Sequence, residues 1–160
     1  MKTRIAAAAA ISIATISALW VWPGARAAYG QETAGSRGQP RSVWDGAYTK
    51  EQAKRGDEAY HRQCASCHGA TLAGGEAAPP LAGGEFLSTW NGLTLGDLFE
   101  RIRISMPQDH PGKLSREQNA DILSYVLSVN KFPAGKSELP HQTELLKEIR
   151  FEASKPDGKQ

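Results

Sequence analysis

The chain has 160 residues, 40% of them hydrophobic and 22% charged, enough for one small domain with flanking segments. Its formal net charge of +2 falls to about −1 once Lys2, Arg4 and Arg26 are set aside, because 16 basic residues then face 17 acidic ones. No basic stripe is present, so nothing points to a nucleic-acid partner.

Residues 1–27 read as an export signal. Lys2 and Arg4 give a positive start, residues 5–21 form an alanine-rich apolar run, and Ala25-Arg26-Ala27 matches a small-x-small cleavage site. The competing reading is an uncleaved anchor, since the run is about long enough to span a bilayer. Ser12, Thr15 and Ser17 interrupt it, and Pro23-Gly24 ends it before a usable cleavage site, which favours cleavage after Ala27. Either way the remainder is exported, which places it in the periplasm, free or N-terminally anchored. Residues 28–42, rich in Gly, Ser, Gln and Arg, read as a flexible linker. The domain is expected over residues 43–132, led in by the aromatics of 43–48.

Thr49 followed by Gln52 is a capping-box pattern that predicts a helix start. Ala53, Gly56 and Tyr60 then share one face, and Cys64 continues it. Glycine is costly inside a helix. Gly56 therefore implies close approach by another helix, the alternative being an early helix end. Residues 68–91, rich in glycine and carrying Pro79-Pro80, read as a long loop that needs something to wrap. Thr94 and Asp97 cap a second helix with Leu95, Leu98, Phe99 and Ile102 on one face, stopped by Pro107. Ser115 and Gln118 cap a third, with Ala120, Leu123, Val126 and Leu127 as its buried stripe and Asn130 near its end. Residues 133–160 are expected as a C-terminal extension, with a short helical stretch around 144–149 and disorder beyond Ala153.

Chemistry concentrates at Cys64-Ala65-Ser66-Cys67-His68, which holds both cysteines of the chain. C-x-x-C-H is the attachment pattern of a c-type haem. Two intervening residues let both thiols reach the vinyl groups on one porphyrin edge, and the next residue is placed to put an imidazole nitrogen on the iron. Thioethers also consume both thiols, which removes the conflict with an oxidising compartment that would favour a disulfide. No second Cys or His pair follows at zinc spacing, and the flanks lack βαβ patterning, which sets zinc and thioredoxin-type chemistry aside. For the opposite face of the iron the candidate is Met106, the single methionine after Met1. Its soft thioether suits haem iron, and His/Met ligation raises the reduction potential relative to two imidazoles. The bland alternative is that Met106 fills a core gap. His61, His110 and His141 read as solvent-facing, with His110 close enough in sequence to Met106 to compete for the iron. A domain this small buries little apolar surface, and a covalent cofactor compensates.

Over residues 49–130 the chain resembles the class I, single-haem bacterial c-type cytochromes. The carriers are Gly56 and Tyr60, the C-x-x-C-H run, Ala78-Pro79-Pro80-Leu81-Ala82-Gly83, Ser105-Met106-Pro107, Leu114-Ser115 and residues 121–127. The resemblance implies an all-α fold, a small cytochrome c fold of three main helices and long loops around one covalent haem, with the first and last helices crossing. It implies Cys64 and Cys67 as attachment points, and His68 and Met106 as axial ligands. A loop proline carbonyl should receive the His68 Nδ1–H, with Pro80 as the best match and Pro79 as the runner-up. Leu81 should pack on the porphyrin, and Trp90 should lie near the haem edge with its indole N–H toward a propionate. The implied role is a periplasmic electron carrier rather than an enzyme, exchanging electrons with redox partner proteins such as a dehydrogenase or terminal oxidase. Two rivals stand beside it: a haem subunit of a quinoprotein-type dehydrogenase, suggested by the segment from Phe132, and a haem enzyme or sensor with a labile sixth ligand.

Overall fold

The computed structural model describes residues 41–157, which fall within one compact unit. The export signal, the linker as far as residue 40 and the last three residues lie outside the described residues. Among the described residues no helix is long and apolar enough to cross a membrane.

Helix α1 (Lys50–Gln63) starts where the sequence predicts, with the Thr49 hydroxyl accepting from the Gln52 N–H at 3.1 Å. Its buried face is Gln52, Ala53, Gly56, Ala59 and Tyr60. A four-residue helix, α2 (Ala65–His68), follows directly. Helix α5 (Arg116–Val129) begins with a complete Ser115/Gln118 capping box and buries the predicted Ala120, Leu123, Val126 and Leu127. It packs along α1. The Tyr60 and Tyr125 rings lie 5.3 Å apart, and the Arg55 guanidinium grips both Asp121 oxygens at 3.0 and 2.9 Å. Gly56 explains the closeness, because a Cβ there would lie 1.9 Å from the Asp121 carbonyl oxygen.

Between these helices the chain makes α3 (Gly84–Trp90) and α4 (Leu95–Ser105). The Thr94/Asp97 box caps α4, and Leu95, Leu98 and Phe99 are buried as predicted, with Ile102 half-buried. Helix α3 corrects the reading of 68–91 as loop throughout. It is short and starts with adjacent glycines, so no periodic signal announces it. It is held by Phe86, which is buried edge-on against Phe151 at 5.9 Å.

Phe151 belongs to the tail, and here the structure departs most from the sequence reading. Residues 133–151 are built into the core: Leu139, Leu146, Ile149 and Phe151 are all at most 2% exposed. Strand β1 (Arg41–Ser42) pairs in parallel with β2 (Ile149–Arg150), so residues 41 and 42, expected in the linker, are paired into the domain. Between the strands lies helix α6 (Thr143–Lys147), a slightly earlier helix than the expected 144–149. The lead-in aromatics close the contact. Trp44 stacks edge-on against Phe132 at 4.9 Å and donates its indole N–H to the Glu152 carbonyl at 2.9 Å. The Tyr48 hydroxyl donates to the Phe132 carbonyl at 2.7 Å. Gln52 is buried and donates to the Leu139 carbonyl while accepting from its N–H, at 3.0 and 2.6 Å. The side chain that the capping pattern assigned to the helix start therefore anchors the tail instead.

Candidate metal centre

Cys64 ends α1, its N–H donating to the Tyr60 carbonyl at 2.8 Å, and the Cys67 and His68 N–H groups both return to the Cys64 carbonyl, at 3.1 and 3.0 Å. This tight reversal holds the two cysteines one helical turn apart. Both are free thiols, Cys64 half-buried and Cys67 exposed. Burial, and to a lesser degree the neighbouring Cys67, push the Cys64 thiol up to about 11. Tyr60, fully buried, donates its hydroxyl to the Gly69 carbonyl at 2.6 Å and fixes the exit of the motif. Burial pushes its phenol up to about 12.

His68 is 7% exposed, and its Nδ1 lies 2.8 Å from the Pro79 carbonyl oxygen. A carbonyl can only accept, so Nδ1 carries the proton and Nε2 keeps a free lone pair. The acceptor is Pro79, which corrects the assignment to Pro80. The loop makes the difference: the Gly75 N–H donates to Ala78 at 2.9 Å, the Gly74 N–H to His68 at 2.9 Å, and the Leu81 N–H to Leu72 at 2.8 Å. Pro80 forces an extended backbone on Pro79. A Pro-Pro pair favours polyproline II, in which successive carbonyls point about 120° apart, so a shift of one residue turns the acceptor from the imidazole. Leu81 is half-buried against the core.

Met106 caps the C-terminus of α4, its N–H donating to Ile102 at 2.9 Å, with extended backbone and a half-buried side chain. Trp90 closes α3, half-buried, its ring 6.4 Å from Phe86. The hydrogen-bond network thus joins Pro79 to the C-x-x-C-H run, while Met106 and Trp90 are carried on separate elements. The other histidines are paired with carboxylates near the surface: His61 with Asp57 at 2.9 Å, His110 with Asp109 at 3.1 Å and His141 with Glu117 at 3.5 Å. Among the described residues no group of three or more His, Cys, Asp or Glu is placed to hold a metal ion.

Residues 51–126 match the family model described as cytochrome c oxidase, cbb3-type, subunit III, a c-type cytochrome family. This stretch is a class I c-type cytochrome domain. No curated protein matches the chain. Among solved structures, the sulfane dehydrogenase SoxCD from Paracoccus pantotrophus is similar at 23% identity and a TM-score of 0.46, over 68% of this chain and 62% of that one. The chain therefore spans less than two thirds of the SoxCD chain it matches.

A c-type cytochrome carries covalently bound haem, and the residues of this domain fit one. Two free thiols sit a turn apart, and a buried imidazole donates from Nδ1 to the Pro79 carbonyl and keeps Nε2 for a ligand bond. Two further residues, Asn130 and Leu72, were not assigned to the site from the sequence. Asn130, at the end of α5, donates to the Leu81 carbonyl at 2.9 Å and accepts from the Gly83 N–H at 3.0 Å, which pins the far side of the loop. An asparagine at a helix end was the available signal. Leu72 is fully buried with φ +62°, a left-handed conformation costly for a side chain. Nothing in the sequence marks that conformation.

Proposed function

We propose that this cytochrome domain is an exported, periplasmic single-haem electron carrier with His68 and Met106 as its axial ligands. The observation that carries the reading is the His68 Nδ1–Pro79 bond, which orients the imidazole and leaves Nε2 as a ligand of raised basicity. The bound haem supplies one-electron Fe(III)/Fe(II) chemistry. The chain's residues do the rest. Cys64 and Cys67 would tether the group, and Met106 would offer its sulfur as the second protein ligand. Leu81, half-buried beside the core, would pack on the ring. With His68 and Met106 both serving as ligands, the iron would keep no open position for a substrate. The N-terminal signal pattern supports export. Partners are redox proteins, such as a dehydrogenase or terminal oxidase, meeting the domain through small transient contacts.

An optical redox titration of the holoprotein, with its solution mass, tests this. The expected result is a reversible one-electron transition of a low-spin monomer. A high-spin ferric form would point instead to an enzyme or sensor with an open site. A stable larger assembly would point to a dehydrogenase subunit.

A further inference from the structure

The tail grips helix α4 at three levels along one side. Before the helix, the Phe151 N–H donates to the Leu93 carbonyl at 2.8 Å, and the Gly92 N–H donates to the Phe151 carbonyl at 2.9 Å. In its first turn, Gly96 lies so close to α6 that a Cβ would sit 2.9 Å from the Lys147 backbone nitrogen and 2.5 Å from its Cγ. One turn further on, the Thr143 hydroxyl donates to the Glu100 carboxylate, which Arg103 also holds at 3.0 and 2.6 Å. The tail itself is tied down at both ends, by Gln52 on Leu139 and by Trp44 on Glu152.

We propose that this tail is a strap that positions Met106, so that Gly96 and Thr143 act as positioning residues for the sixth ligand. The inference rests on the His68/Met106 reading. A helix behaves as a rod over this length, and Met106 stands six residues beyond Glu100, about 9 Å along the axis. Tilting the gripped part therefore displaces the sulfur. A thioether holds ferric iron weakly and depends on being held in place. The strap keeps the state with Met106 withdrawn rare.

The test uses the full-length holoprotein and imidazole as probe, since imidazole binds only where Met106 has left. Its apparent affinity follows the fraction of protein in that open state. Gly96→Ala pushes α6 off α4, and Thr143→Val removes the hydroxyl. Tyr48→Phe is the control, because it loses a buried hydrogen bond that is not on α4. Expected are an intact iron–sulfur band in the wild type and imidazole binding tightened about tenfold in Gly96→Ala and Thr143→Val, with less than about twofold change in Tyr48→Phe. If the band is present but all three variants bind imidazole alike, the strap is overturned and the axial reading stands. If the wild type has no such band, the axial reading falls and the strap with it.

Discussion

The carbonyl oxygen of Asp121 occupies the space into which a side chain at Gly56 would grow, 1.9 Å from a Cβ built there. Helices α1 and α5 therefore meet backbone to backbone, and the crossing places Tyr60 against Tyr125 of α5. Helix propensity alone would make Gly56→Ala stabilising by about 1 kcal/mol. The crossing reverses that sign. The Tyr125 Cβ is also only 2.9 Å away, so the helices must separate. The expected loss is about 2–4 kcal/mol, read by urea unfolding of the holoprotein. A neutral or stabilising result would mean that the helices can part cheaply.

Gln52 satisfies both backbone groups of Leu139 in a buried setting. Gln52→Ala leaves a donor and an acceptor unpaired, at about 1–3 kcal/mol each when no water reaches them. A total loss of about 2–4 kcal/mol is expected. Hydrogen exchange should show the excess opening concentrated around Leu139. Uniform loosening across all helices would contradict the assignment of Gln52 as the tail's anchor.

Gly74 has φ +74°, and a Cβ there would lie 2.6 Å from the Pro80 nitrogen and 2.8 Å from the Pro79 carbonyl carbon. Gly74→Ala must displace the acceptor that holds His68. An imidazole that no longer donates from Nδ1 is a poorer ligand, and the poorer ligand stabilises Fe(III) less. The reduction potential of the holoprotein should therefore rise. A potential that stays put or falls would show that the Pro79 bond does not tune the ligand.

Glu100 is held down to about 2, from an ordinary 4.5, by hydrogen bonds first from Arg103 and then from Thr143. A carboxylate whose folded value is depressed contributes stability that is complete above its unfolded value and lost as pH falls through the folded one. The stability difference between wild type and Glu100→Gln should thus be flat above about pH 5 and shrink between 4.5 and 2. Arg103 is one-third exposed, so solvent screening keeps the difference below about 1 kcal/mol. A difference that grows on acidification would contradict this sign.

The parts legible in the sequence were those whose cause is local. Thr49, Ser115 and Thr94 cap helices through bonds three residues long, and Gly56 announces a close approach by being costly where it stands. The tail was not legible, because the groups that hold it lie far off in the chain: Leu139 meets Gln52, and Glu152 meets Trp44. Its own composition reads only as loop with a short helix. Helix α3 failed to show for the same reason, being held by Phe86 against Phe151 rather than by periodicity. The choice between Pro79 and Pro80 turned on which way a carbonyl points, and residue identity alone carries no such information. The C-x-x-C-H run, by contrast, is a complete local statement of half a haem site.

The other half rests on Met106, and the ferric spectrum of the haem-loaded protein beside Met106→Ala tests it most directly. The expected result is a low-spin spectrum with an iron–sulfur band in the wild type, and loss of that band in Met106→Ala with the haem still covalently attached. A high-spin wild-type spectrum, or a band that survives Met106→Ala, would contradict the electron-carrier account.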